Sequence, residues 1–231
     1  MKFTGSDTIG AIVAEYPGAS NLFKAYKIDF CCGGSRTLSE VLQEKGEDEE
    51  AFIARLNQKY EEMLANRQRY KDWRQASSDE LIDHIVNTHH AYLNGELPLL
   101  SEFVTKILRV HGAKHAELAQ LHKIFHQIKM ELEQHLIAEE ETVFPLIRKA
   151  EQTGAAADRA EAAAAIEAME ADHSAVGDLL KEMRDLTADY RLPEDACRTY
   201  RLTFRKLEEL ESDLFEHIHL ENNVLFPRMT A

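Results

Sequence analysis

The sequence predicts an all-α fold: an antiparallel four-helix bundle preceded by a small helical domain. Three observations carry this expectation. β-Branched alternation between Gly/Asn turns is missing, and apolar residues recur at steps of three and four over long windows. A skeleton of His, Glu four residues later and Phe-Pro beyond it also occurs twice, as HLIAEEETVFP (His135–Pro145) and HIHLENNVLFP (His217–Pro227).

The elements follow in order. Residues 1–65 read as a small domain of short helices: a start at Ser6 or Asp7, a break at Pro17-Gly18, the segment ASNLFKAYKIDF, the loop CCGGSR, a helix opened by Thr37 and closed near Gly46, and another from about Asp48 to Leu64. The polar stretch 66–77 reads as a linker. Residues 78–231 then carry four long helices. The first runs from Ser77/Ser78 to about Gly112 with a kink expected at Pro98, and the second from about Lys114 to Gly154 with a kink expected at Pro145. The third opens in AAADRAEAAAAIEAME and ends before Pro193, and the fourth spans about Pro193-Glu194 to Phe226-Pro227.

Composition excludes several function classes. The formal charge is −14 with no compact basic patch, which argues against a nucleic-acid partner. No apolar run approaches the ~20 residues of a membrane span, and MKFTGSDTIG has neither a cationic leader nor an apolar signal core. A cytoplasmic location without membrane association is therefore expected. Three Cys, two of them adjacent, suit a reducing compartment better than a disulfide framework.

Residues four apart on a helix lie ~6 Å apart along the axis and ~40° around it, so His135 shares a face with Glu139, and His217 with Glu221. That face is the apolar one. Leu207, Leu210, Leu214, His217, Glu221 and Val224 form one stripe, and Ile124, Ile128, His135, Glu139, Thr142 and Leu146 form another. A buried, uncompensated Glu costs several kcal/mol, and a metal ion compensates it well. His173 lies on the stripe Ile166, Met169, Val176, Leu180 and Met183, and His90 on the stripe Val86, Leu93, Leu97 and Leu100. Spacing alone leaves His89 as an alternative to His90. His84 reads as a residue at the helix surface or behind the ligands; His219, which points away from His217, reads with His111, His115, His122 and His126 as surface or structural rather than as part of a second metal site.

Four imidazoles and two carboxylates exceed one tetrahedral zinc, so two metals sharing His90, His135, Glu139, His173, His217 and Glu221 are expected, with both carboxylates as bridges. Mixed imidazole and carboxylate ligation with open positions points to non-haem iron, with manganese and zinc as alternatives.

The sequence resembles hemerythrin-like di-iron domains from about Ser78. Nearly its whole length resembles the bacterial repair-of-iron-centres family, through FKAYKIDFCCGGSRTL, KDWRQAS, LIDHIV, HLIAEEETVFP, DHSAVGDLL and HIHLENNVLFP. The resemblance implies two non-haem irons with an oxo or hydroxo bridge on these six ligands, and supporting roles for Glu131 and for Asp172, which stands where the compared pattern has Glu. It also implies repair of iron-sulfur clusters damaged by nitrosative or oxidative stress, damaged iron-sulfur proteins as partners, nitric oxide or oxygen as small ligand, and a homodimer.

Cys31 and Cys32, followed by Gly33-Gly34, read as redox or transfer thiols on an exposed, flexible tip whose glycines can take positive φ and let the backbone approach a partner. Cys197 reads as structural. The principal expectation is iron donation assisted by Cys31 and Cys32. The rivals are a nitric oxide or peroxide reductase, a reversible binder of oxygen or nitric oxide, and a purely structural helical protein. The sequence specifies neither the electron donor, the client proteins nor the iron oxidation state.

Overall fold

The computed structural model describes residues 2–66 and 71–230, so the middle of the expected linker, 67–70, lies outside the described residues. The described residues are all-α, with one isolated bridge between Thr8 and Thr37 in place of any strand. They form two compact units, Met1–Leu81 with Phe215–Ala231, and Ile82–Leu214.

The first unit holds α1 (Ile9–Glu15), α2 (Ala19–Ala25), α3 (Leu38–Lys45) and α4 (Glu49–Ala65). Thr8 caps α1, one residue beyond Asp7 and two beyond Ser6, the expected starts; the Asp7 carboxylate instead accepts the Thr4 N–H at 2.7 Å. α3 has a reciprocal capping box between Thr37 and Glu40 and ends on Gly46 at φ 68°, a conformation that glycine adopts without a Cβ clash. Asp48 caps α4 by accepting the Ala51 N–H at 3.0 Å. The core gathers Ile9, Ile12, Phe23, Ile28, Phe30, Leu38, Leu42, Phe52 and Leu56, each side chain contributing about 1.5–3 kcal/mol by leaving water. From the C-terminal segment, Phe215 packs on this core, and Arg228 donates to the carbonyls of Trp73 and Ala76 and to Ser78 Oγ. No helix among the described residues is long and apolar enough to cross a membrane.

The second unit is built on α6 (Ala91–His111), α7 (Glu117–Ala138), α8 (Phe144–Thr153), α9 (Ala156–Leu186) and the N-terminal part of α10 (Arg198–Leu220). α5 (Ser78–Ile85) leads into α6, which continues through Pro98. Apolar stripes face inward, as with Leu93, Leu97, Leu100, Val104 and Ile107 on α6 and Ile166, Met169, Val176, Leu180 and Met183 on α9. Neighbouring helices are also bridged at their rims, by Lys206 to Glu96 and by the forked pairing of Arg184 with the buried Glu211. α10 begins at Arg198 rather than near Pro193-Glu194. After α9 the chain turns left-handed at Ala188, Asp189 and Tyr190 (φ 49°, 59° and 55°), and Thr187 Oγ1 accepts the Tyr190 N–H.

Three of the long helical runs are interrupted by π turns, at Val86–His90, Glu139–Val143 and Glu221–Leu225. In each, a backbone N–H reaches the carbonyl five residues back: Ala91 to Val86, Phe144 to Glu139, and Phe226 to Glu221 at 2.8 Å. The kink expected at Pro145 takes this form. The wider turn relieves the clash between a proline ring and the preceding carbonyls, and Pro145 and Pro227 each follow directly on the Phe that closes the π turn.

The π turn also corrects one predicted stripe. Thr142 is exposed, and Val143 and Ile147 are buried in place of Thr142 and Leu146. The surplus residue moves the inward face on by one position. A short π turn has no hydrophobic period of its own.

Candidate metal centre

Each π turn carries one of the predicted ligand residues at its boundary: His90 ends the first, Glu139 begins the second and Glu221 begins the third. Local widening of this kind recurs at functional sites because it re-aims a side chain without ending the helix.

In the second unit, Glu139 is fully buried and its two oxygens face different partners. Oε1 lies 3.0 Å from His135 Nε2 and 3.8 Å from His173 Nε2, while Oε2 lies 3.3 Å from His90 Nε2. The His135 and His173 Nε2 atoms are 2.9 Å apart. All three imidazoles are buried. Burial alone would raise the Glu139 pKa, but the His135, His173 and His90 imidazoles outweigh it and hold this carboxyl well below its ordinary range.

The outer nitrogens of two rings meet further carboxylates. His90 Nδ1 lies 2.7 Å from Glu140 Oε1, and His135 Nδ1 lies 3.6 Å from Asp172 Oδ2. Such contacts fix the ring orientation and tautomer of a metal-binding imidazole. Glu140 was missed in the sequence because a run of three glutamates reads as a solvated face. Glu131 is half-buried one turn before His135.

In the first unit, His217 Nε2 lies 3.2 Å from Glu221 Oε1, and both residues are buried. The structure thus gathers His90, His135, Glu139 and His173 in one unit and pairs His217 with Glu221 in the other.

The remaining histidines are engaged elsewhere. His89 Nδ1 meets Asp213 at 2.9 Å, which separates it from its neighbour His90, and the half-buried His84 meets Thr88. His219 is buried rather than at the surface. Its Nδ1–H donates to the Phe30 carbonyl at 3.3 Å, and burial pushes its pKa down to about 4 against the weaker opposing effect of that bond.

The residues fit a metal. Bonds of ~2.0–2.2 Å to nitrogen and oxygen subtend ligand edges of roughly 3 Å, and the donor atoms of His135, Glu139 and His173 all lie within 4.8 Å of one another in a buried pocket of the helices.

The thiol loop differs from the exposed tip that was expected. Cys31 is buried and Cys32 half-buried. Asp29 Oδ1 accepts the Cys31 N–H at 3.0 Å, the Cys32 N–H at 3.1 Å and the Cys31 S–H at 3.1 Å. Asn223 Nδ2 donates to the Cys31 carbonyl at 3.0 Å. A Cβ at Gly10 or Gly34 would overlap the Asn223 side chain, so these glycines serve close approach. Neither Gly33 nor Gly34 takes positive φ. The bond to Cys32, burial and the Asp29 charge together push the Cys31 thiol well above its ordinary pKa.

A family model described as the hemerythrin HHE cation binding domain matches residues 81–229, and one described as ScdA_N, a domain of unknown function (DUF542), matches 5–60. The chain is 34% identical to the iron-sulfur cluster repair protein ScdA of Staphylococcus haemolyticus, over 98% of this chain and 99% of that protein. It is 37% identical to the iron-sulfur cluster repair protein YtfE of Citrobacter koseri and 36% identical to that of Escherichia coli O157:H7, in both cases over 96% of each chain.

Proposed function

Because the chain belongs to the family of iron-sulfur cluster repair proteins that carry a hemerythrin HHE cation binding domain, we propose that it stores two non-haem irons and delivers iron to clusters damaged by nitrosative or oxidative stress. The observation that carries this reading is the fully buried Glu139, its oxygens divided between His135 and His173 on one side and His90 on the other.

His90, His135, Glu139 and His173 form one part of the proposed ligand set, and His217 and Glu221 complete it. The matched domain, residues 81–229, includes all six. Glu139 and Glu221 would supply the set's two carboxylates. Two carboxylates against a formal +4 favour an oxo or hydroxo bridge as a further anion, and four imidazoles suit iron. When bound, the iron pair supplies redox chemistry and a transferable cation. The chain's own residues exclude bulk water, orient the rings through Glu140 and Asp172, and hold the ligands deprotonated.

Cys31 and Cys32 are the proposed acceptor thiols for outgoing iron. Asp29 holds the Cys31 proton until a cation displaces it. Metal analysis of fresh protein together with its visible spectrum tests the centre: about two irons per chain are expected, and none would refute it. Replacing both cysteines with serine should spare the iron and impair repair of a damaged client; intact repair would remove the thiols from the mechanism.

The donor count favours one further reading. Two imidazoles and two carboxylate oxygens per iron leave positions for nitric oxide or oxygen. Steady-state nitrous oxide production with a defined donor would favour reduction of nitric oxide over stoichiometric repair.

A further inference from the structure

A second group of metal-binding side chains occupies the end of the second unit where the α6–α7 turn meets the α9–α10 connection. His111 and His115 come from the turn, Asp195 and Cys197 from the connection. His111 Nε2 lies 3.2 Å from Cys197 Sγ, and His115 Nε2 lies 2.8 Å from Asp195 Oδ1. The two imidazoles stand 6.3 Å apart between centroids, and both rest edge-on against the buried Tyr200, at 5.3 and 5.8 Å. The other face of His115 meets Glu117, whose Oε1 lies 3.3 Å from Nδ1.

We propose that His111, His115, Asp195 and Cys197 form a tetrahedral site for one divalent transition metal ion, with zinc as the best match, independent of the buried His/Glu cluster. Two imidazoles, a carboxylate and a thiolate are a zinc donor set, and the two anions neutralise the ion. In such a site, ligand–ligand edges are roughly 3.3–3.6 Å and the two ring centroids roughly 5 Å apart, from zinc bonds of ~2.0–2.3 Å. The His111–Cys197 pair is near this edge and the His115–Asp195 pair opens by about half an ångström; the two pairs, whose donor atoms do not all lie within 4.8 Å of one another, close together on the ion as the rings approach.

Three further features support the site. Glu117 stands where an orienting carboxylate belongs on a metal-bound imidazole. The His111 carbonyl accepts the Lys114 and His115 N–H groups at 2.9 and 3.0 Å, so the two histidines are held on one tight turn. The Tyr200 N–H donates to Cys197 Sγ at 3.5 Å, at the start of α10, which aims the sulfur at the turn. The exposed Lys114 competes for this carboxylate, its Nζ 3.8 Å from Asp195 Oδ2. On binding, the Cys197 thiol proton passes to solvent, each imidazole ligates as the neutral ring, and no electrons move. The ion would clasp the two connections together.

The test is a titration of the iron-loaded protein with Co2+ as a spectroscopic stand-in for zinc. One equivalent should give intense tetrahedral bands in the visible and a thiolate-to-cobalt charge-transfer band in the near ultraviolet, both removed by added zinc, with iron content unchanged. Cys197→Ser should abolish the charge-transfer band, and Asp195→Asn should weaken binding at least tenfold. A Cys31→Ser/Cys32→Ser variant should leave both signals intact. Absence of the band, or its survival in Cys197→Ser, would overturn the site. Loss of the band in the Cys31/Cys32 variant would also overturn it, by assigning the cation to the other thiol loop.

Discussion

In the segment from His135 to Pro145, Glu140 follows the buried glutamate and meets the outer nitrogen of His90. In the segment from His217 to Pro227, Asn222 takes that position, and Asn223 beyond it grips the carbonyl of Cys31. The shared His, Glu and Phe-Pro produce the same backbone twice: a pair four residues apart, a carbonyl that accepts from an N–H five residues on, and a proline after the Phe that supplies it. The residues that differ decide what each coil is tied to. One is tied to another imidazole, the other to the thiol loop. The repeat therefore carries the backbone form, and the variable positions between its fixed residues carry the division of labour.

The comparison can be broken most severely at its fixed positions. Glu139→Gln keeps the size of the side chain and removes the charge that faces three imidazoles, so most of the bound iron should be lost, as read by metal analysis. Retention of wild-type content would detach Glu139 from the centre. At the variable positions effects should be smaller and should diverge. Glu140→Gln should weaken metal affinity by ~10–100-fold through the His90 ring while leaving thiol labelling unchanged. Asn223→Ala, in contrast, loses its bond to the Cys31 carbonyl, a cost of about 1–3 kcal/mol in a chemical denaturation curve. It should also speed alkylation of Cys31.

The pH dependence sharpens the thiol side. The Cys31 pKa is raised above its ordinary 9.0, so the folded chain keeps a proton that the unfolded chain releases. The resulting stability is fully present below that value and is lost as pH rises from 9.0 through the folded-state pKa. A melting curve across this range should show the loss, and Cys31→Ser should remove it. The smallest effect is expected at Asp172. Its side chain is 55% exposed and 3.6 Å from His135, so Asp172→Asn should change stability by less than about 0.5 kcal/mol.

Much of this architecture was legible in the sequence because its causes are local. Thr37, Asp48, Gly46 and Gly154 cap helices as their chemistry dictates, and the inward stripes on α6 and α9 follow the helical period. His90 and His89 were inseparable by spacing, since what sets His89 apart is its contact with Asp213, 124 residues away. The burial of Cys31 was hidden for the same reason: its loop is held by Asn223 from nearly the other end of the chain. The π turns at Glu139 and Glu221 were written in the sequence as Glu followed five residues later by Phe and then Pro. That pattern showed as a repeat, but it did not announce a change of hydrogen-bond register.

A substitution near Glu139 alters one side chain, but a change of length would alter many. Each residue of a regular helix advances ~100° around the axis, so adding one further residue to Glu140–Thr142 would rotate everything from Phe144 to Thr153 by about that angle while leaving their identities untouched. Ile147 and Ala150 would leave the core together. These stretches can therefore drift in composition far more freely than they can drift in length.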